Sequence, residues 1–358
     1  MVYNPNKAIH PGHIISRSLE REGLSQKNLC ERTGLTEKHI SQIINGEASI
    51  TVETALLLEN ALGGAASFWI NLEKNYQETK ARLEKINLLR KEISLMTQFP
   101  YLELVKRDCV EQTSNREKRV ENLWKFFGVN SLSFVRRTEA VAYRKRGGVS
   151  LKSESVASWL RCGELEARQI SASPFSDTVL RKSVDVLRKL TAEDPQKYST
   201  EAKKKLAESG VALVYVPHFS GTSVNGAVRW VGDVPIIQLS LLGAYADMFW
   251  FTLFHEIGHI LLHGKKEKFL EFQNEKGGYL SGSQEKEKEA DTFASNSLIS
   301  PKLYHDFVQS GDFSRPAIIK FARDVKVHPG IVAGRLCHNK KINWKNAAGV
   351  RTRLRFAE

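Results

Sequence analysis

Three histidines spaced four residues apart, His255, His259 and His263, lie in "FHEIGHILLHG" (254–264), at the end of the longest apolar run of the chain, "MFWFTLF" (248–254). Positions i, i+4 and i+8 stack along one face of an α-helix. A helix this oily with imidazoles on one face either packs them against polar partners or uses them as ligands. The HExxH spacing puts His255 and His259 one turn apart, close enough to share one Zn²⁺. It also places Glu256 between them as a general base for a water on the metal. His263 stands about 12 Å in rise from His255 on a straight helix, too far to share an ion with it.

Such a site needs a third protein ligand. The metzincin solution, a third histidine six residues after the second, fails because that position is Lys265. A gluzincin-type site takes a Glu from the next helix, followed one turn later by an Asp or Asn that holds a ligand histidine. "EKEKEADTFA" (285–294) supplies Glu287 and Asp291 at i, i+4, while Glu285 and Glu289 compete for the same role. Ala290, Phe293 and Ala294 give this helix an apolar face with which to dock.

"FTLFHEIGHILLHG" followed by "EKEADTFA" resembles the ImmA/IrrE family of zinc metallopeptidases, over roughly residues 205–310. That resemblance implies a zincin-like domain that cleaves or inactivates helix-turn-helix repressors. By motif position it implies His255, His259 and Glu287 as zinc ligands, Glu256 as the base and Asp291 as the residue orienting a ligand histidine. The family's usual proline after the second motif is displaced here to Pro301.

Before the motif, three short β-branched runs, 211–216, 225–230 and 234–240, read as a small β-meander. The last, "VPIIQLS", is the expected edge on which a peptide could add as a strand. His218, in the loop after the first run, is expected to be a bystander.

The N-terminus is punctuated differently. "SQKNLCERTGLTEKHISQIINGEASIT" has helix starts at Ser25 and Thr36 and stops at Gly34 and Gly46. Leu29, Leu35, Ile40, Ile43 and Ile44 would form a core. Gln26, Lys27, Thr36, Lys38, His39, Ser41, Gln42 and Asn45 would face DNA. With "IHPGHII" before it and "TALLLENALGGAASFWINLEKNY" after it, residues 8–77 resemble HigA-type antitoxin repressors. The resemblance implies a λ-repressor-like bundle, operator DNA as a ligand and a homodimer on a palindromic site. "IIKFARDVKVHPGIVAGRLCH" (318–338) repeats the helix–turn–helix outline and is read as packing structure.

The net charge of +13 over 358 residues lies mainly in residues 79–210, whereas the first 78 are slightly acidic. A scattered basic surface serves solubility as readily as nucleic acid. The four cysteines are scattered with no CxxC pair, and no signal-peptide core or 20-residue apolar span occurs, so a cytoplasmic protein without a membrane contact is expected. The expectation is a multidomain, mainly α protein: a helix-turn-helix domain (1–78), a basic helical region (79–175), a small α+β metallopeptidase domain of gluzincin type (176–345) and a basic tail (346–358). It is read as a transcriptional regulator whose fused zinc endopeptidase inactivates itself or a partner repressor, with exposed segments near 97–118 and 143–150 as cleavage regions. The alternative is a DNA-binding antitoxin that sequesters a partner toxin.

Overall fold

A computed structural model describes residues 7–136, 152–222, 224–240, 245–265, 269–272 and 284–354. The chain divides into two compact units, residues 1–94 with 115–121, and residues 95–114 with 122–358. The segments 143–150 and 275–283 lie outside the described residues.

In the first unit, α1 (Gly12–Glu22) is followed by α2 (Gln26–Thr33), α3 (Glu37–Asn45), α4 (Val52–Leu62) and the long α5 (Ala66–Lys91). Side chains fix the boundaries. Ser25 and Asn28 form a reciprocal capping box on α2. Thr36 and Thr51 accept from the backbone N–H of His39 and Thr54 to start α3 and α4. Each such cap stabilises its helix by about 1 kcal/mol. Gly34 and Gly46, both left-handed, end α2 and α3, a conformation that costs glycine nothing. Ile15, Leu19, Leu29, Ile40, Ile43, Leu58 and Trp69 form the core, with Leu35 and Ile44 half-buried at its edge. One approach is backbone against backbone: a Cβ at Gly12 would collide with the carbonyl oxygen of Ile44 and lie 2.6 Å from that of Ile43. The end of α3 therefore rests directly on the first turn of α1.

The second unit starts with α6 (Ile93–Met96), whose first two residues count with the first unit, and α7 (Tyr101–Lys106). Next is α8 (Arg116–Phe127), which also crosses the unit boundary, then α9 (Ser153–Ala167), α10 (Asp177–Leu190) and α11 (Pro195–Glu208). The region 97–118, expected to be exposed, is partly anchored. Phe99, Tyr101 and Leu104 are buried. The Tyr101 hydroxyl donates to the Glu111 carbonyl at 2.7 Å, and Arg107 donates to the carbonyls of Pro217 and His218. The three buried anchors stand within six residues, a pattern too short to read as periodicity. All four cysteines are free, although folding brings the sulfurs of Cys109 and Cys162 to 3.3 Å.

Four strands follow: β1 (Ala212–Tyr215), β2 (Val224–Val231), β3 (Val234–Leu239) and, after the histidine helix, β4 (Phe269–Phe272). The sheet order is β1-β3-β2-β4. β3 pairs parallel with β1 (Ala212 opposite Ile236) and antiparallel with β2 across the two-residue turn Gly232-Asp233. The expected meander with β3 at its edge is thus corrected: β3 is interior, and among the described residues β1 and β4 are the outer strands. Burial of consecutive residues, Ile236, Ile237, Gln238 and Leu239, is the mark of a strand covered on both faces. Pro235 is tolerated because the ladder to β1 begins one residue later.

α12 (Ala246–His263) packs on this sheet and against α13 (Gln284–Leu298). α14 (Pro301–Ser310), α15 (Arg315–Asp324), α16 (Pro329–His338) and α17 (Trp344–Ala347) complete the unit. Residues 318–338 act as packing, burying Ile318, Ala322, Ile331, Val332 and Leu336. The basic C-terminal stretch also has anchors: Ala347, Val350 and Leu354 are buried in the same core, and Arg351 holds Asp247 at the start of α12 with Nε 2.9 Å from Oδ2. No helix among the described residues is long and apolar enough to cross a membrane.

The close approach at Gly12 is directly testable. Gly12→Ala should cost about 1–3 kcal/mol by overpacking, read as faster amide hydrogen exchange across α1–α3 with the second unit unchanged. Unchanged exchange in α1–α3 would show that this approach is not tight.

Candidate metal centre and nucleic-acid interface

α12 is apolar almost all round, as a helix enclosed by sheet and helices must be. Its polar stripe is buried with it: His255 and His259 are 1% exposed, Glu256 0% and Glu287, from α13, 7%. Two glycines make this possible. A Cβ at Gly258 would lie 3.3 Å from the Cα of Ala290 and 3.1 Å from the Phe293 ring, so the small pair Gly258 and Ala290 sets how closely α13 approaches. A Cβ at Gly226 on β2 would collide with Oε1 of Glu256, so bare strand backbone makes room for that carboxylate. Sequence reasoning singles out neither glycine. The available signal is a glycine inside an otherwise good helix and another inside a strand pattern.

The close helix pair brings three ligand atoms together. His255 Nε2 lies 2.9 Å from His259 Nε2 and 3.1 Å from Glu287 Oε2, and His259 Nε2 lies 3.5 Å from Glu287 Oε1. Among the described residues, His255, His259 and Glu287 form the metal-competent group. A tetrahedral ion with bonds of about 2.0–2.1 Å separates its ligand atoms by roughly 3.3 Å, so the donor set fits zinc in kind and in spacing. Burial pushes His259 down to about 4, with Glu287 opposing and His255 and His263 adding to the shift. A neutral imidazole with a free lone pair is the form a metal requires.

One assignment of protons satisfies the surroundings of both histidines. Asp291 Oδ1 accepts from His255 Nδ1 at 2.9 Å, which leaves His255 Nε2 as a lone pair. His259 Nδ1 donates to His263 Nδ1 at 3.0 Å, and His263 Nε2 donates to Glu289 at 2.9 Å. His263 therefore stands outside the donor triangle but orients a member of it, as outer hydrogen bonds to ligand histidines do. Glu289 serves that relay, and Glu285 is exposed. His218 is exposed in its loop and contributes a backbone carbonyl to Arg107.

In the first unit, α2 and α3 carry the other set of candidate residues. Gln26, Lys27, Thr36, Lys38 and Asn45 are exposed, and His39, Ser41 and Gln42 are half-buried. The Thr36 hydroxyl caps α3, and Asn45 Nδ2 donates to Ser41 Oγ at 3.2 Å. The face opposite Ile40 and Ile43 is thus polar and open.

The comparisons with known proteins divide along the same line. The helix-turn-helix family profile matches residues 15–69, and the IrrE N-terminal-like domain matches residues 230–336. Virulence-associated protein I of Dichelobacter nodosus is 34% identical over 89 residues, 24% of this chain and 82% of that protein. The chain belongs to the helix-turn-helix family and carries an IrrE-type peptidase domain. A further family relative is the HTH-type transcriptional regulator YddM of Escherichia coli K12, 27% identical over 20% of this chain and 76% of its own. Two solved structures are similar in sequence to the same region. An antidote protein of a plasmid maintenance system from Nostoc punctiforme is 33% identical over 22% of this chain and 86% of its own, TM-score 0.21. An addiction-module antidote protein of the HigA family from Coxiella burnetii is 31% identical over 24% and 95%, TM-score 0.22.

Substitutions separate ligand from support in the IrrE-type domain. Glu287→Ala should abolish stoichiometric zinc binding, whereas His263→Ala should keep one zinc per chain with affinity lowered about 10–100-fold, both read by metal analysis and chelator competition. Retained zinc in Glu287→Ala together with loss in His263→Ala would reverse the two roles.

Proposed function

We propose that this chain is a DNA-binding transcriptional repressor, homodimeric on a palindromic operator, fused to a zinc endopeptidase that relieves repression by cleaving a repressor polypeptide, its own copy or a partner. The observation that carries the reading is the buried donor triangle of His255, His259 and Glu287 with Glu256 beside it, in one chain with a capped helix-turn-helix. Bound zinc would supply Lewis-acid polarisation of a peptide carbonyl and acidify a water at the site. His255, His259 and Glu287 would hold it, with Asp291 and His263 fixing the imidazoles. Glu256 accepts the proton of the attacking water at a carboxylate oxygen and returns it to the leaving amine. Burial of the site strengthens each of these interactions by excluding solvent.

Coupling the two activities requires restraint, because a tether holds any scissile bond of the same chain at high effective concentration. The helix Tyr101–Lys106 supplies some for its own bonds, since a bond in a packed helix is not presented as extended chain. DNA affinity rests mostly on neutralised phosphates, and the slightly acidic first unit gains by pairing two copies across one site.

Lys38→Ala with Gln42→Ala should reduce discrimination between operator and random duplex, by about 1–3 kcal/mol for each side chain that reads a base edge, measured by competition binding at fixed salt. Weaker overall affinity with discrimination intact would place both residues on phosphates.

Glu256→Gln removes the base at nearly constant volume. It should retain zinc and operator binding but abolish induction of a reporter under the chain's own promoter, together with the cleaved repressor fragment. Equal induction in both strains, with no fragment in either, would favour the reading in which the domain holds a partner toxin without cleaving anything.

A further inference from the structure

The second unit holds a pair of nucleophiles that its metal centre does not use. Cys109 and Cys162 are 53 residues apart in sequence, yet their sulfurs lie 3.3 Å from each other. Local geometry places both. Cys109 follows α7 in a complete Schellman motif: Asp108, left-handed at φ 54°, donates its N–H to the Val105 carbonyl, and the Cys109 N–H donates to that of Leu104, both at 3.0 Å. Leu104 is fully buried, so the turn that carries Cys109 is anchored. Cys162 lies inside α9, which is tied to the sheet near it. Trp159 Nε1 donates to the Val216 carbonyl, and Gln238 Nε2 donates to the Trp159 carbonyl, both at 2.7 Å.

The two thiols are not equivalent. Cys109 is half-buried and Cys162 is buried, so a small reagent meets Cys109 first. The hydrogen bond with Cys162 is the largest influence on the Cys109 thiol and lowers it. Burial opposes this, and Arg107 lowers it further against Glu166 and Asp108. Cys162 is pushed up by the same bond and by burial, so it stays a thiol beside the thiolate of its neighbour. The thiolate is the reactive form. Cys30, also half-buried, gives an internal comparison, because burial, Glu37 and Glu31 push it up.

We propose that Cys109 is a hydroperoxide-reactive thiol resolved by Cys162, so that oxidation joins α7 to α9 through a disulfide. The Cys109 thiolate attacks one peroxide oxygen. An S–O bond forms as the O–O bond breaks, and the departing hydroxide or alkoxide takes a proton from solvent. The Cys162 sulfur then displaces hydroxide from the Cys109 sulfenic acid, and its own proton leaves with that hydroxide as water. The two thiols together lose two electrons, and these reduce one peroxide. Closing the sulfurs to about 2.05 Å completes the bond.

Both joined elements hold the loop after β1. From α7, the Arg107 guanidinium lies 4.1 Å from the Phe219 ring centroid and donates to the carbonyls of Pro217 and His218. A Glu103 carboxylate oxygen accepts from the Ser220 N–H at 3.1 Å. From α9, Trp159 holds Val216. The disulfide therefore closes a clamp on residues 216–220. This site stands apart from the metal chemistry proposed above.

The test uses the full chain, reduced and then freed of reductant, treated with hydrogen peroxide and read by intact mass and peptide mapping. A Cys109–Cys162 link should form, with the chain lighter by two hydrogens. It should form at least about tenfold faster than Cys30 is oxidised, and dithiothreitol should reverse it. Amide hydrogen exchange across 216–220 should be about threefold slower or more in the linked chain. In Cys162→Ala the reaction should stop at the Cys109 sulfenic acid, trapped by dimedone, and in Cys109→Ala the Cys162 thiol should stay unmodified. The comparison with Cys30 needs no substitution, so a misfolded variant leaves the test in place. Oxidation of Cys30 at an equal rate, sulfinic acid at Cys109 without the link, or a disulfide between two chains in its place would overturn the site. A link that leaves exchange across 216–220 unchanged would overturn the clamp.

Discussion

Burying two carboxylates and two imidazoles between a pair of helices is the constraint on which the second unit depends. Ionised carboxylates taken out of water cost several kcal/mol each unless opposite charge and hydrogen bonds compensate. Glu256 and Glu287 are buried on helices that contribute Trp250, Phe254, Ile257, Ala294 and Leu298 to one apolar cluster. Asp291 and the His263–Glu289 relay satisfy the outer ring nitrogens of the imidazoles, and the bare backbone of Gly226 leaves room for Glu256. A divalent cation at the donor triangle would supply positive charge opposite the carboxylates.

Close approach of α12 and α13 makes the arrangement geometrically possible. A glycine inside a helix costs about 1 kcal/mol relative to alanine, so Gly258 weakens α12 locally. In return the axes approach until Ala290 touches it and Glu287 reaches both imidazoles. Small side chains at one crossing point, Gly258 and Ala290, set this distance.

The first unit follows simpler rules. Its first four helices are short, and isolated helices of that length are marginal in water. Ser25, Thr36 and Thr51 cap them, left-handed glycines stop them, and one cluster around Leu29, Ile40 and Trp69 holds them together. The outward residues of α3 stay exposed or half-buried, with the Thr36 cap and the Asn45–Ser41 hydrogen bond among them. A bundle of local contacts can tolerate a slightly acidic surface, because its stability does not come from charge.

What the sequence determined by itself was whatever is local. The histidine spacing imposes one helical face, and the Ser, Thr and Gly punctuation imposes the helix-turn-helix, because capping and periodicity act within a few residues. The two-residue turn at Gly232-Asp233 likewise follows from its own chemistry. Tertiary structure alone decided what depends on register and long-range packing. Glu285, Glu287 and Glu289 lie two residues apart on one helix, and only the rotation of α13 against α12 points Glu287 at the donors and Glu289 at His263. The interior position of β3 and the pairing of β4 with β2 followed from strand partners far apart in the chain. The packing of 97–118 and 347–354 rested on single anchors such as Tyr101, Leu104 and Val350, whose burial no short window can reveal. A side chain's direction on a helix is fixed by its neighbours in sequence, but what it meets is fixed by the element that packs against it.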